Sequence, residues 1–243
     1  MKKIIFLAFA FISYQSFAQS QSGGFMKKAG GLLNKVKGGG GSALSNEEII
    51  TGLKEALTVG AENSSSKLSS VDGFFANVAI KVIMPDEAKK VESTLRNMGM
   101  GNLVDKAILS MNRAAEEASK SAAPIFVNAI KQMSFNDALG ILKGNDTAAT
   151  SYLKGRTLPE LTNAFRPVIE AALAKTDATK HWKAVFDTYN KLPTTFKKVN
   201  TDLSAYVTDR ALSGLFFQVA AEELKIRKDP AARVSEVLKK VFG

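Results

Sequence analysis

Ser45-Asn-Glu-Glu-Ile-Ile-Thr-Gly-Leu-Lys-Glu-Ala-Leu-Thr-Val59 is the stretch that decides the fold class. Ser45 followed three residues later by Glu48 is a capping box, in which each side chain satisfies a backbone N–H left free at a helix start. Ile49, Ile50, Leu53, Leu57 and Val59 then supply the apolar stripe of a first helix running to about Asn63. The same grammar of cap, stripe and breaker recurs down the chain and predicts an all-α fold.

Downstream, serines loosen the pattern and Asp72-Gly73 marks a turn. Val78, Ile80 and Val82 alternate up to Ile83-Met84-Pro85, and with no second strand to pair with they form an extended connector packed on helices. Pro85 opens a second helix ended by Gly99, and Asn102 caps a third from Leu103 to about Lys120. Pro124 starts or kinks another over Ile125 to Met133. Ser134 with Asp137 repeats the capping box for a short helix ending at Gly144, and Asp146 caps Thr147 to Lys154. Thr157 with Glu160 starts a helix to about Lys175 that contains Pro167, and Thr179 to Asn190 holds His181 and Trp182. Asp202 caps one turn, and Thr208 caps the most apolar late helix, which Asp229-Pro230 breaks before Ser235 opens a terminal segment. The expected architecture is a single-domain bundle of about nine short-to-medium helices over residues 45–243.

Upstream, Lys2 and Lys3 precede the apolar run Ile4 to Ile12, and Ser16-Phe17-Ala18 offers small residues where a signal peptidase cuts. Residues 1–18 are expected to be a signal peptide, the product an exported, soluble protein beginning at Gln19. The apolar run is too short for the ~30 Å of a bilayer core. Residues 19–44 form a Gly/Lys-rich linker or an amphipathic segment. Phe25, Met26, Ala29, Leu32, Leu33 and Val36 share one arc of a helical wheel, and Lys27, Lys28, Lys35 and Lys37 lie outside it. Gly30 and Gly31 would each cost ~1 kcal/mol in a helix, so the segment needs a surface to fold upon. An anionic membrane or an envelope protein partner would supply one.

Composition excludes more than it assigns. The chain carries +10 overall and no cysteine, so disulfides, thiolate chemistry and lipid attachment through Cys are not available. No basic helix interleaved with aromatics points to nucleic acid. His181 is the single histidine and stands beside Trp182 as a structural residue, so no metal or cofactor is expected. Gly-x-Ser-x-Gly and phosphate-loop signatures are missing.

Two sets of residues could still carry a function. Asn112 with Glu116, and Arg113 with Glu117, pair at i,i+4 on a helix whose alanines face the core. Asn112, Arg113 and Glu116 would make a polar pocket if they met Asp146, Thr147 and Thr150, and an enzyme built there would use Arg113, Glu116 and Asp146. The structural alternative has Asp146 capping its helix and Arg113 tying that loop down. The abundant phenylalanines could enclose an apolar small molecule, with Phe74-Phe75 at a mouth or interface rather than in the centre.

Gly52 to Leu57, Leu109 to Glu116, Pro124 to Met133, Gly144 to Thr150, Tyr206 to Leu212, Ile226 to Arg233 and Leu238 to Gly243 together resemble the bacterial envelope family catalogued as domain of unknown function 4197. The resemblance spans about Ser45 to Gly243 and implies an exported, helical, single-domain protein with no established activity. Relatives of this type can carry a lipoprotein leader, whose cysteine this chain lacks. The functional expectation is a non-enzymatic envelope protein, a helical interaction domain with a basic N-terminal contact segment. It would work in the periplasm, or outside the cell. A carrier of an apolar ligand and an unrecognised enzyme are the alternatives.

Overall fold

The computed structural model describes residues 45–176 and 202–233, with positions 179, 182, 183, 187, 190, 191 and 239, all within the compact unit Leu44–Gly243. Among these residues every regular element is helical: α1 (Asn46–Ser69), α2 (Lys89–Asn97), α3 (Gly101–Ser119), α4 (Ala122–Lys131), α5 (Phe135–Lys143), α6 (Ala148–Ala174) and α7 (Leu203–Lys228), with 3-10 turns at Asp86–Ala88 and Pro230–Ala232. The expected leader, the 19–44 segment, His181 and the helix expected from Ser235 lie outside the described residues, as does most of 179–190.

Local caps explain several helix starts. Ser45 N–H donates to Glu48 Oε2 at 2.8 Å while Glu48 N–H donates to Ser45 Oγ at 3.2 Å. Ser134 and Asp137 repeat that box at 3.0 and 3.2 Å. Asp202 accepts from Ala205 N–H at 2.9 Å, yet it opens the whole 26-residue α7 rather than one turn. Thr208 is no cap; it lies inside α7, its hydroxyl donating to Ser204 O at 2.7 Å. Asn102 does not cap α3 either, since that helix begins at Gly101, behind Met100, with no side-chain cap.

Besides α7, both α1 and α6 are longer than expected, for reasons of packing. α1 passes Asn63 because Ser64 and Ser65 are buried, their hydroxyls donating at 2.7 Å to Gly60 O and to Ser119 O of α3. α6 fuses the two expected segments into 27 residues with Pro159 and Pro167 inside. An interior proline costs about 3 kcal/mol. Leu153, Leu161, Phe165, Ile169 and Leu173 are buried along one face of α6, at roughly 1.5–3 kcal/mol per large apolar side chain, which offsets that cost. Thr157 donates to Leu153 O at 2.7 Å instead of starting a new helix.

α7 packs on α1, α3 and α6, and α6 also packs on α3, α4 and α5. A large core containing Leu68, Phe74, Met111, Phe126, Phe165 and Leu215 lies between them. A smaller one, with Leu53, Met133, Ala138, Ile141 and Ala149, sits where α1 meets α5 and the start of α6. Phe126 and Phe216 meet edge to face at 5.8 Å, and Trp182 stacks on Tyr206 at 6.1 Å.

Phe74 corrects one expectation: it is fully buried rather than at a mouth. Gly214 on α7 makes room for it, because a Cβ there would meet Phe74 Cε1 at 2.6 Å and Ile80 Cβ at 3.2 Å. Phe75 stays half-buried, with Lys81 Nζ 3.8 Å from its ring centroid. Gly214→Ala is therefore expected to lower the urea midpoint of unfolding by the equivalent of about 1–3 kcal/mol.

The Ser134 hydroxyl, then the Ser134 N–H, holds the Asp137 carboxyl below its ordinary value of 3.8. The Ala205 N–H does the same for Asp202. A depressed folded-state pKa gives stability that is present above the unfolded value and lost as pH falls through the folded one. Both caps are thus expected to hold at pH 3.8 and fail below it. In an NMR titration, Ser134→Ala is expected to move the Asp137 pKa upward, towards 3.8.

Candidate functional site

α3 carries the first polar cluster. Asn112 is fully buried; its Oδ1 accepts from Val82 N–H at 2.9 Å, and its Nδ2 donates to Val82 O at 2.8 Å and Ile108 O at 2.7 Å. The carboxamide thereby gives the backbone at Val82 the pair of bonds that a neighbouring strand would give, while residues 78–80, expected to be extended, form a turn in which the N–H groups of Ile80 and Lys81 donate to Asn77 O at 3.1 and 2.8 Å. One helical turn on, Glu116 Oε1 accepts from the N–H groups of Phe74 and Phe75 at 3.1 and 3.3 Å. Arg113 donates to Glu116 Oε2 and to Asp72 Oδ1, both at 2.6 Å. These two bonds, Glu116 first, push the guanidinium pKa above its usual value. The expected Arg113–Glu117 pair is replaced, and Glu117 pairs with Lys120 at 2.6 Å.

The turn held by this cluster has its own constraints. Asp72 adopts φ 67°. A Cβ on Gly73 would collide with the carbonyl oxygens of Lys67 and Leu68, so the close backbone approach requires glycine.

The second cluster lies at the start of α6. Asp146 does not cap that helix; it pairs with Lys228 at 3.0 Å, on the surface. Thr147 occupies the cap position without a side-chain capping bond, its hydroxyl donating to Asn145 Oδ1 at 3.2 Å. The cap comes instead from α7. Glu223 accepts from the N–H groups of Ala149 and Thr150 at 2.9 Å each and from the Thr150 hydroxyl at 2.8 Å, which places a carboxylate at the positive end of the helix dipole. Arg227 donates to Glu223 Oε1 at 2.8 Å and to Ile141 O, at the end of α5, also at 2.8 Å. A cavity of about 20 Å³ lined by Leu53, Ala56, Ile141, Ala149, Glu223 and Arg227 adjoins the pair; that is room for about one water and not for an acyl chain.

The structure thus brings Asn112, Arg113 and Glu116 together with the 72–82 segment, and Thr150 and Asp146 with α7. Among the described residues no hydrogen bond or ion pair joins the two groups. Glu223 and Arg227 escaped sequence reasoning, although a Glu four residues before an Arg in the last long helix was the available signal. No group of three His, Cys, Asp or Glu among the described residues is arranged to hold a metal ion.

A family model described as a protein of unknown function (DUF4197) matches residues 43–243. The chain belongs to the DUF4197 family. The match covers both polar clusters of this DUF4197 chain and every described helix. No curated protein and no solved structure matches it.

Glu223→Ala would remove the carboxylate that caps α6 and pairs with half-buried Arg227. A loss of about 1–3 kcal/mol is expected in urea unfolding, from the N–H groups of Ala149 and Thr150 left without an acceptor. The double variant with Arg227→Met should lose less than the sum of the two single changes, as a double-mutant cycle would read.

Proposed function

We propose that this DUF4197 protein is a non-enzymatic, exported envelope protein of the bacterial periplasm. It comprises a leader over residues 1–18, a basic contact segment over 19–44 and a single-domain bundle of about nine helices over 45–243 that acts as an interaction module. One observation carries this reading: the buried polar chemistry is spent on holding the fold. Among the described residues no buried side-chain nitrogen or oxygen lacks a hydrogen-bond partner. Glu116 and Glu223 give their oxygens to backbone N–H groups and to arginines. An acid, base or nucleophile needs spare hydrogen-bonding capacity facing a cleft, and these groups have committed theirs. The cavity beside Glu223 supports the apolar-carrier reading less well, being the size of a water.

Contact with other envelope components then falls to surfaces. Among the described residues no helix is long and apolar enough to cross a membrane. Lys27, Lys28, Lys35 and Lys37, with Phe25, Leu32, Leu33 and Val36 beside them, suit an anionic membrane surface, at about 1 kcal/mol per lysine near the headgroups. The chain from Gln19 is expected to co-sediment with anionic vesicles at low salt and to release at high salt. Changing the four lysines to Gln should weaken binding by at least about tenfold. Absence of co-sedimentation at low salt would remove the membrane from this reading and leave a protein partner.

A further inference from the structure

The segment between α1 and α2 is held more firmly than a connector needs to be. Glu116 grips the backbone at Phe74 and Phe75, Asn112 grips Val82, and Arg113 grips Asp72. Phe74 and Ile80 are buried against Gly214 of α7. Around these anchors the segment exposes aliphatic side chains: Val71, just before Asp72, is 78% exposed and Val78 93%, and Ala76 and Ala79 are exposed with them, beside the polar Ser70 and Asp72. A rigid scaffold that presents bare aliphatic side chains on a loop is the arrangement of a binding surface rather than of a solvated turn.

Charge narrows the occupant. The acid of the loop, Asp72, shares Arg113 with Glu116 at 2.6 Å, and with Lys67 and Lys81 counted the cluster carries one net positive charge. Lys67 and Lys81 flank the valines, and neither forms a salt bridge among the described residues; Lys81 lies over the Phe75 ring. The surface past Lys67, Val71, Asp72, Gly73, Asn77 and Val78 is a shallow, open depression. The lysines call for an anionic partner. The composition disfavours a protein hot spot, which is built on Trp, Tyr and Arg and poor in Val and Ser. Small aliphatic residues beside lysines suit a lipid interface, where the alkyl groups reach the acyl boundary and the ammonium groups stay with the phosphates.

We propose that the loop spanning residues 67–81 is a membrane-contacting element, which inserts Val71 and Val78 into an anionic bilayer and sets Lys67 and Lys81 against its headgroups. The inference rests on the envelope reading above but uses residues separate from the 27–37 lysines, so the two can fail independently.

The chain has no cysteine, so V78C creates a unique site for an environment-sensitive fluorophore. S213C, on the exposed face of α7, serves as the control. With the chain from Gln19 and vesicles of phosphatidylglycerol and phosphatidylethanolamine, the label at 78 is expected to shift to the blue and to be quenched by a lipid-borne quencher. The label at 213 should stay unchanged, and neither should respond to purely zwitterionic vesicles. In unlabelled protein, V71S/V78S is expected to weaken vesicle binding by about tenfold, and K67Q/K81Q to act in the same direction. These four residues are not buried, and unfolding curves of the variants check that the fold is kept. A chain that sediments with vesicles while the label at 78 is silent and V71S/V78S binds as before would overturn the loop proposal and leave the basic segment as the contact. A chain that does not sediment at all would overturn both.

Discussion

A carboxylate on α7 stands where α6 has no cap of its own. α6 begins without a side-chain cap and without an acid in its first turn, although Ala149 and Thr150 are buried. Backbone N–H groups left unsatisfied there would cost roughly 1–3 kcal/mol each. Glu223 meets them, and a buried carboxylate in turn needs a cation, which Arg227 provides one turn later. Arg227 also takes the Ile141 carbonyl at the end of α5. Each group thus answers the need of the one before it, and the sequence of contacts fixes how α5, α6 and α7 meet. Arg233 extends it by donating to the carbonyls of Ile226 and Arg227 at the end of α7.

The same economy governs α3. Asn112, Arg113 and Glu116 look, in sequence, like groups that could bind or react. In the fold they replace a missing strand, a missing cap and a missing counter-ion for the 72–82 segment. Both clusters thus spend their hydrogen bonds on neighbouring backbone. Val71 and Val78 of the clamped loop stand exposed on the surface, with Lys67 and Lys81 beside them.

Features settled within four residues were legible. The boxes at Ser45 and Ser134, the cap at Asp202 and the break at Asp229-Pro230 stand where the sequence places them, because capping is a local exchange of hydrogen bonds. Residues able to cap were over-read. Asn102, Asp146, Thr157 and Thr208 have the right chemistry, yet each either bonds elsewhere or lies inside a continuous helix. Helix length was misjudged for a related reason: serines and prolines weaken a helix in isolation, and burial along one face outweighs that in α1 and α6. Phe74 and Phe75, adjacent and chemically alike, part company only because Gly214 leaves room for one of them.

The sequence alone determines the all-α class, the helix starts at Ser45, Ser134 and Asp202 and the presence of polar residues among the core-facing positions of α3, since periodicity and caps act over a turn or two. Tertiary structure decides where those polar residues spend their hydrogen bonds. Glu116 reaches a backbone 42 residues away, and Glu223 one that is 74 residues away. A buried donor or acceptor must be satisfied by whatever lies next to it in space, and that neighbour is set by the packing of whole helices rather than by any local pattern.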